Sequence, residues 1–284
     1  MSYRIAVVGG GTMGAGIAYA AALRGGDVLV IEPDDVRAEA LVRTIQAAAA
    51  AALSRGKLEA AAADALAARI SRHTTADAIP WGLDLVIETV PERLELKLEV
   101  LAHIAEREPT MIASNTSALS ISRLAGGVRD PGTFLGMHFF NPVWSFRLVE
   151  LVRGERTSEA TLERARQFIH WLGKESLTAR DVAGFATSRL DLIASLEAMR
   201  MLESGVASAE DIDRAAVLAY RHPVGPLRLS DIVGLDVRLD IAQVLEAAHG
   251  SRFAPPQILK DLVAQGRLGV KSGHGFYEWP FNPK

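Results

Sequence analysis

The sequence predicts an α/β fold with a doubly wound parallel sheet, a helical hairpin inserted after the second strand, and an all-α domain at the C-terminal end. Three observations lead to this prediction. Short apolar runs alternate with helical patterns as far as residue 179. A glycine-rich turn separates the first apolar run from the first helical pattern. Strand patterns stop after Asp181, so we expect two domains, residues 1–181 and 182–284.

Eight apolar or β-branched runs are the predicted strands, at residues 3–8, 27–31, 70–75, 83–89, 111–114, 133–140, 146–152 and 175–179. The helical patterns of the first domain lie at residues 12–23, 33–52, 57–70, 91–108, 119–125 and 158–172. In the second domain we expect helices at residues 185–203, 225–233, 237–248 and 256–265, and another that Ser208 caps.

The inserted hairpin is predicted from the helical patterns at residues 33–52 and 57–70, and it contains six consecutive alanines at residues 47–52. Alanine has the highest intrinsic helix propensity. Two plain surface helices therefore explain this composition at least as well as a binding role does.

Composition limits the possible functions. The chain has 284 residues, 49% hydrophobic and 23% charged, as in an ordinary globular protein with a full core. Its net charge of −3 provides no basic field for nucleic acid. It has no cysteine, which excludes disulfides and thiol catalysis and is compatible with a reducing cytoplasm. No apolar run could span a membrane, and the first strand leaves no room for a signal peptide, so we expect a cytoplasmic protein. We expect no metal site.

The turn after the first strand has the spacing Gly9-x-Gly11-x-x-Gly14, and each glycine has a physical role. Gly9 allows the tight turn, Gly11 lets a pyrophosphate approach the backbone, and Gly14 lets the helix pack against the strand. The N–H groups at the start of the helix, at Thr12 and Met13, then face the phosphates.

An acidic residue, Glu32, ends the second strand 18 residues after Gly14. Its carboxylate can accept hydrogen bonds from both hydroxyls of a ribose and would repel a 2′-phosphate, so NAD is favoured over NADP. An ordinary glycine-rich turn is the alternative, but strand, turn, helix and acid occur together as the motif demands. We therefore predict a Rossmann-type NAD-binding domain.

Two residues on successive predicted strands suggest an acid–base pair. His138 ends one apolar strand, and Glu150 lies inside the next. A histidine on an apolar strand is more often a satisfied core residue, but a buried carboxylate needs a partner. If the strands pair as a hairpin, Glu150 can orient His138 as the general base for an alcohol. Ser117 follows the fifth strand, where it can contact substrate or cap the helix at 119–125.

These residues belong to motifs that resemble the L-3-hydroxyacyl-CoA dehydrogenases, including the 3-hydroxybutyryl-CoA dehydrogenases. The motifs, in order along essentially the whole chain, are GGGTMGAGIA, SNTSALSIS, GMHFFNP, RLVELV, DVAGF, HPVGPLRLSDIVGLD and GVKSGHGFY. The resemblance implies an enzyme that oxidises (3S)-3-hydroxyacyl-CoA to 3-oxoacyl-CoA with NAD. It also implies a homodimer formed through the C-terminal domain, with no nucleic-acid or membrane partner.

The resemblance implies roles for individual residues. His138 takes the hydroxyl proton, Glu150 holds and polarises His138, and Ser117 hydrogen-bonds the 3-oxygen beside the cofactor. Asn141 contacts the nicotinamide side and is a candidate substrate contact. The other positions that match cofactor contacts are Glu92, Lys97 and Lys271.

The chain departs from the family pattern at two places. Ser188 stands where the family pattern GF-x-x-N-R has a catalytic asparagine, so one hydroxyl replaces an amide. Ser188 can bind the substrate carbonyl, directly or through water; it can instead mark a different substrate or neutral drift. The hairpin is mostly alanine where relatives carry polar and basic residues for the CoA phosphates, which leaves Arg55 and Lys57 as basic candidates.

Three functions compete on this sequence. The first is an NAD-dependent 3-hydroxyacyl-CoA dehydrogenase for short or modified acyl chains. The second is a dehydrogenase of a free 3-hydroxy acid or sugar acid, similar to the gulonate dehydrogenase and lens crystallin group. The third is a catalytically silent NAD-binding protein, which would have no need to keep Ser117, His138 and Glu150.

Overall fold

The computed structural model describes residues 2–280, which form two compact units. The first unit runs to Val182, and the second begins at Ala183. The boundary expected from the sequence lies one residue earlier. Within the described residues, no helix combines the length and apolar character needed to cross a bilayer.

The first unit contains one eight-stranded sheet, whose strands lie at the predicted positions. They are β1 (Arg4–Val8), β2 (Asp27–Ile31), β3 (Ile70–His73), β4 (Leu85–Glu88), β5 (Ile112–Ser114), β6 (Phe134–His138), β7 (Leu148–Arg153) and β8 (Glu175–Arg180). The strand order is 3-2-1-4-5-6-7-8. Strands β1 to β6 are parallel, β7 is antiparallel to β6, and β8 is parallel to β7. The chain changes direction across the sheet between β1 and β4, where open α/β sheets bind ligands.

The helices confirm the predicted α/β unit, its inserted hairpin and the helical second unit. The first unit contains α1 (Thr12–Leu23), α2 (Asp35–Ser54), α3 (Ala60–Ala68), α4 (Leu94–Ala105), α5 (Ile121–Leu124) and α6 (Glu159–Trp171). The second contains α7 (Thr187–Glu203), α8 (Ala209–Tyr220), α9 (Pro226–Val233), α10 (Leu235–His249) and α11 (Gln257–Ala264).

Capping side chains decide where several helices begin. The sequence pattern predicted that this helix begins at Pro33. Asp34 accepts a hydrogen bond from the Arg37 N–H, so α2 begins later, at Asp35. Of the two roles open to Ser117, the helix cap is excluded, because Ser120 accepts from the Arg123 N–H and α5 begins only at Ile121.

Helix α1 lies at the centre of the first unit. Its residues 14–22 are all buried, because they are mostly glycine and alanine and let the helix lie close to its neighbours. The apolar side chains of β1, β2 and β4 complete this core. Close packing here fixes the position of the glycine-rich turn that precedes α1.

Buried carboxylates hold the end of the second unit. Asp231 accepts hydrogen bonds from the N–H groups of Phe276 and Tyr277, both at 2.9 Å, and from the Trp279 indole at 2.8 Å. Asp213 accepts from the Tyr277 hydroxyl at 2.8 Å. The motifs HPVGPLRLSDIVGLD and GVKSGHGFY therefore join one another inside this unit.

Candidate active site

A cleft of about 660 Å³ opens at the carboxyl ends of β1, β2 and β4. Its walls include the predicted cofactor residues Gly9, Gly11, Thr12, Met13 and Glu32. The switch in strand order places this cleft where a doubly wound sheet binds a dinucleotide.

The glycines keep this turn tight and open on the cleft side. Gly9 has φ +110°, a conformation that favours glycine. A Cβ on Gly14 would lie 1.9 Å from the Gly9 carbonyl oxygen, so Gly14 is needed for the turn to pack on itself. A Cβ on Gly11 would meet no atom within 4 Å among the described residues. The space above Gly11 and the start of α1 therefore fit a pyrophosphate.

Glu32 is buried among hydrogen-bond donors of its own chain. Its Oε2 accepts from the Gly10 N–H at 2.9 Å, and its Oε1 accepts from the Asp34 N–H at 2.9 Å and from Arg37 Nε at 3.0 Å. Burial raises the pKa of this carboxyl, but the hydrogen bonds outweigh burial and hold the pKa below its ordinary value. Since a carboxylate accepts about four hydrogen bonds, Oε2 has room for one ribose hydroxyl, where the sequence suggested two.

Lys97 lies beneath the cleft instead of at its surface. Its Nζ is 2.7 Å from Glu88 Oε1, 3.0 Å from the Val90 carbonyl oxygen and 3.3 Å from Glu92 Oε2. Burial raises the pKa of the Glu88 carboxyl, and the ammonium of Lys97 opposes that rise. These three acceptors match the three donors of an ammonium group, so Lys97 supports the loop after β4.

Glu92 joins the loop after β4 to the turn after β5. Its Oε1 accepts from the N–H groups of Ser117 and Ala118, both at 3.1 Å, and from the Thr116 hydroxyl. The Ser117 side chain is exposed. Glu92 therefore sets the backbone of the turn that presents Ser117.

The strands β6 and β7 form the hairpin expected from the sequence, and their register pairs His138 with Glu150. His138 Nδ1 lies 3.0 Å from Glu150 Oε2, and both residues are buried. A buried carboxylate at Nδ1 fixes the orientation of the imidazole. Because Glu150 engages Nδ1, Nε2 is the ring atom suited to proton transfer.

Two asparagines lie near these strand ends. Asn115 Oδ1 accepts a hydrogen bond from the Phe139 N–H at 3.0 Å, which joins the end of β5 to the end of β6. Asn141 is exposed and precedes the cis-proline Pro142. The bond from Phe139 to Asn115 links two strands and was not predicted from the sequence, whereas the ligand contacts predicted for Asn141 stay predictions.

A second cleft, of about 640 Å³, lies against the inserted hairpin. Arg55 and Lys57, the basic residues predicted to meet CoA, both line it. Its other walls come from α1, from the alanine run of α2 and from the loop after β6, through Tyr19, Leu23, Thr44, Ala47, Ala48, Ala51, Ala52, Leu58, Trp144 and Ser145. The alanines leave this space open because their side chains end at Cβ.

Two further predicted site residues belong to the second unit. Ser188 is half-buried in the first turn of α7. Lys271 donates to Asp236 Oδ2 at 2.5 Å, and this hydrogen bond lowers the pKa of the Asp236 carboxyl. Lys271 is therefore held by its own unit, and its contact with a cofactor stays a prediction.

Sequence reasoning missed Arg37 and Arg93, which also line the first cleft. Both lie close to a predicted cofactor residue in sequence, since Arg37 follows Glu32 by five positions and Arg93 follows Glu92. This closeness in sequence to predicted cofactor residues was the signal by which Arg37 and Arg93 could have been found.

Comparison with known proteins identifies the family. Residues 4–182 match the model of the 3-hydroxyacyl-CoA dehydrogenase NAD binding domain, and residues 184–279 match that of the C-terminal domain. The chain is 38% identical to 3-hydroxybutyryl-CoA dehydrogenase of Mycobacterium tuberculosis over 97% of its own length and 98% of the relative. It is 36% identical to the mitochondrial hydroxyacyl-coenzyme A dehydrogenase of Rattus norvegicus, over 97% and 90% of the two chains.

A solved structure shows the same architecture. The crystal structure of (S)-3-hydroxybutyryl-CoA dehydrogenase from Ralstonia eutropha is similar with a TM-score of 0.93 and 36% identity, over 99% of this chain and 100% of that one. The predicted family, fold class and cofactor are thereby confirmed. The chain belongs to the 3-hydroxyacyl-CoA dehydrogenase family of NAD-dependent oxidoreductases.

Proposed function

We propose that this chain oxidises the 3-hydroxyl of (3S)-3-hydroxyacyl-CoA thioesters with short or modified acyl chains, using His138 as the general base. The buried pair of His138 and Glu150 carries the proposal. Loss of a hydride from C3 requires a base for the hydroxyl proton. His138 Nε2 takes that proton, and Glu150 stabilises the imidazolium that forms. NAD held in the first cleft would supply the hydride acceptor, and the proton on His138 would pass to water.

The first cleft binds the NAD cofactor. The N–H groups around Gly9, Gly11, Thr12 and Met13 bind the pyrophosphate, and Glu32 accepts from a ribose hydroxyl. This assignment is supported by the open space above Gly11.

The turn after β5 completes the site. Glu92 and Asn141 lie on the nicotinamide side, while Lys97 acts through Glu92. Ser117 hydrogen-bonds the 3-oxygen of the substrate. The hydrogen bonds that Glu92 accepts from the backbone of this turn support the assignment.

The protein binds the substrate through its CoA group. Arg55 and Lys57 line the second cleft and would meet its phosphates, while the alanine-lined wall takes its apolar parts. Ser188 would bind the carbonyl in place of the family asparagine. If the substrate binds through CoA, Arg55→Ala and Lys57→Ala raise the KM for acetoacetyl-CoA and leave NADH binding unchanged.

The second unit provides the contact of a homodimer. Nine of its described large apolar side chains are between 39% and 77% exposed, namely Leu190, Val206, Leu218, Tyr220, Ile232, Val233, Val237, Val244 and Val270. Such exposure on one unit favours a contact with another protein surface. Light scattering on the purified protein tests the dimer.

A cytoplasmic location and a place in fatty acid metabolism complete the proposal, and cell fractionation tests the location.

The test follows NADH absorbance with acetoacetyl-CoA, and with free acetoacetate in parallel. Oxidation only with the CoA ester supports the proposal, whereas oxidation only with the free acid supports the alternative of a hydroxy-acid dehydrogenase. His138→Ala should lower turnover by about two to four orders of magnitude while NADH still binds. Unchanged turnover in this variant would remove His138 from the mechanism. Binding of NADH without oxidation of either compound would point to another substrate.

A further inference from the structure

Arg37 is a charged residue of the first cleft that the proposed function does not use. Its Nε lies 3.0 Å and its Nη2 2.9 Å from the same Glu32 oxygen, Oε1. The Arg37 side chain is 58% exposed and that of Glu32 only 4%. The guanidinium therefore lies between the carboxylate and solvent, and it forms part of the cleft wall.

This arrangement weakens the feature that normally rejects NADP. An acid at the end of the second strand repels a 2′-phosphate by its charge, whereas an arginine nearby accommodates one. Here both groups are present and neutralise each other at contact distance. Nη1 of Arg37 makes no hydrogen bond to any residue between 2 and 280, so the planar donor group keeps capacity for another acceptor.

The remaining charges of the cleft also favour an additional phosphate. Its charged lining consists of Glu32, Arg37 and Arg93, which gives more positive than negative charge. A wall of this sign attracts polyanions. The ion pair between Glu32 and Arg37 is therefore the part of this lining whose charges bear most directly on a 2′-phosphate.

We propose that Arg37 determines cofactor specificity: held by Glu32, it leaves the cleft selective for NAD, and released from Glu32 it binds the 2′-phosphate of NADP. The inference rests on the proposal that Glu32 binds the adenosine ribose. It adds a latent phosphate site that opens when a single carboxylate is neutralised.

The experiment measures the dissociation constants of NADH and NADPH for the full chain by the change in nucleotide fluorescence, so no acyl substrate is needed. Glu32→Gln removes the charge and keeps one oxygen for the N–H groups of Gly10 or Asp34. Arg37→Ala removes the guanidinium in both backgrounds. Arg43→Ala is the matched control, because Arg43 lies on the same helix and pairs with the exposed Glu39.

The quantity that decides is the Kd of NADPH divided by the Kd of NADH. A charge-assisted hydrogen bond is worth about 1.5–3 kcal/mol, so Glu32→Gln should lower the ratio about tenfold or more. Adding Arg37→Ala should abolish most of that change. Arg37→Ala alone should raise the ratio by about threefold or more, since the carboxylate loses its neutralising partner. Arg43→Ala should leave the ratio unchanged.

A ratio that falls equally with and without Arg37, or does not fall in Glu32→Gln, would overturn the proposal. If Glu32→Gln does not fold, Arg37→Ala decides alone, and an unchanged ratio in this variant overturns the proposal. Failure of the wild-type chain to bind either nucleotide in this cleft would instead refute the proposed cofactor site.

Discussion

Replacing Glu150 by glutamine tests the proposed chemistry most directly. The substitution keeps the size of the side chain and removes the negative charge 3.0 Å from His138 Nδ1. Because Glu150 is fully buried, water cannot replace that charge. The carboxylate stabilises the imidazolium, which forms only as the proton leaves the substrate. Its loss should therefore lower kcat and leave NADH binding intact.

The size of the effect follows from the geometry. A hydrogen bond to a charged group contributes about 1.5–3 kcal/mol. Two charges about 4 Å apart interact by about 4 kcal/mol at an effective dielectric constant of 20, and we take this energy as the upper end of the expected loss. Since about 1.4 kcal/mol is a factor of ten in rate, kcat should fall by between about tenfold and a thousandfold.

The assay is NADH oxidation with acetoacetyl-CoA across pH, with the NADH Kd and the melting temperature as controls for folding. A double-mutant cycle separates the pair from a general loss of structure. In the His138→Ala background, Glu150→Gln should have little further effect on kcat. An equal loss in both backgrounds, or an unchanged kcat in the single variant, would refute the reasoning that Glu150 acts through His138.

Three further predictions concern other parts of the chain. If Ser188 replaces the family asparagine without a change of substrate, Ser188→Asn raises the turnover of acetoacetyl-CoA; a fall would indicate a pocket fitted to another substrate. Asp231→Ala leaves three donors without an acceptor and should lower the free energy of unfolding by about 3 kcal/mol or more in urea denaturation; a loss under about 1 kcal/mol would contradict this. The pKa of Glu32 lies below 4.5 in the folded state, so its carboxylate stabilises the fold above pH 4.5 and loses that contribution as pH falls. The wild type should therefore exceed Glu32→Gln in stability at pH 7, and the difference should shrink below pH 4.5; a constant difference would show that Glu32 contributes no such linkage.

The order of strands and helices could be predicted because each element has a recognisable local sequence pattern. Each strand of the sheet is a short apolar run, and each helix has its own period, so no distant contact had to be known. The pairing of β6 with β7 was also accessible. Glu150 inside an apolar strand required a partner, and His138 was the polar residue that a hairpin would bring to it.

Helix starts were less predictable, because a cap depends on one hydrogen bond that competes with close alternatives. Ser117 and Ser120 both precede the pattern of α5, and either could have capped it. The backbone of Ser117 is instead held by Glu92, 25 residues earlier in the chain. A contact of this range leaves no periodic mark in a sequence.

The same limit explains why motif residues divide into two physical classes. Lys97 and Glu32 both occupy positions that the family pattern assigns to the cofactor, yet each is engaged by its own chain. Lys97 meets three protein acceptors below the cleft, whereas Glu32 keeps capacity for a ribose hydroxyl at Oε2. A charged residue in a motif can therefore bind the ligand or hold the residues that bind it, and its hydrogen-bond partners distinguish these two roles.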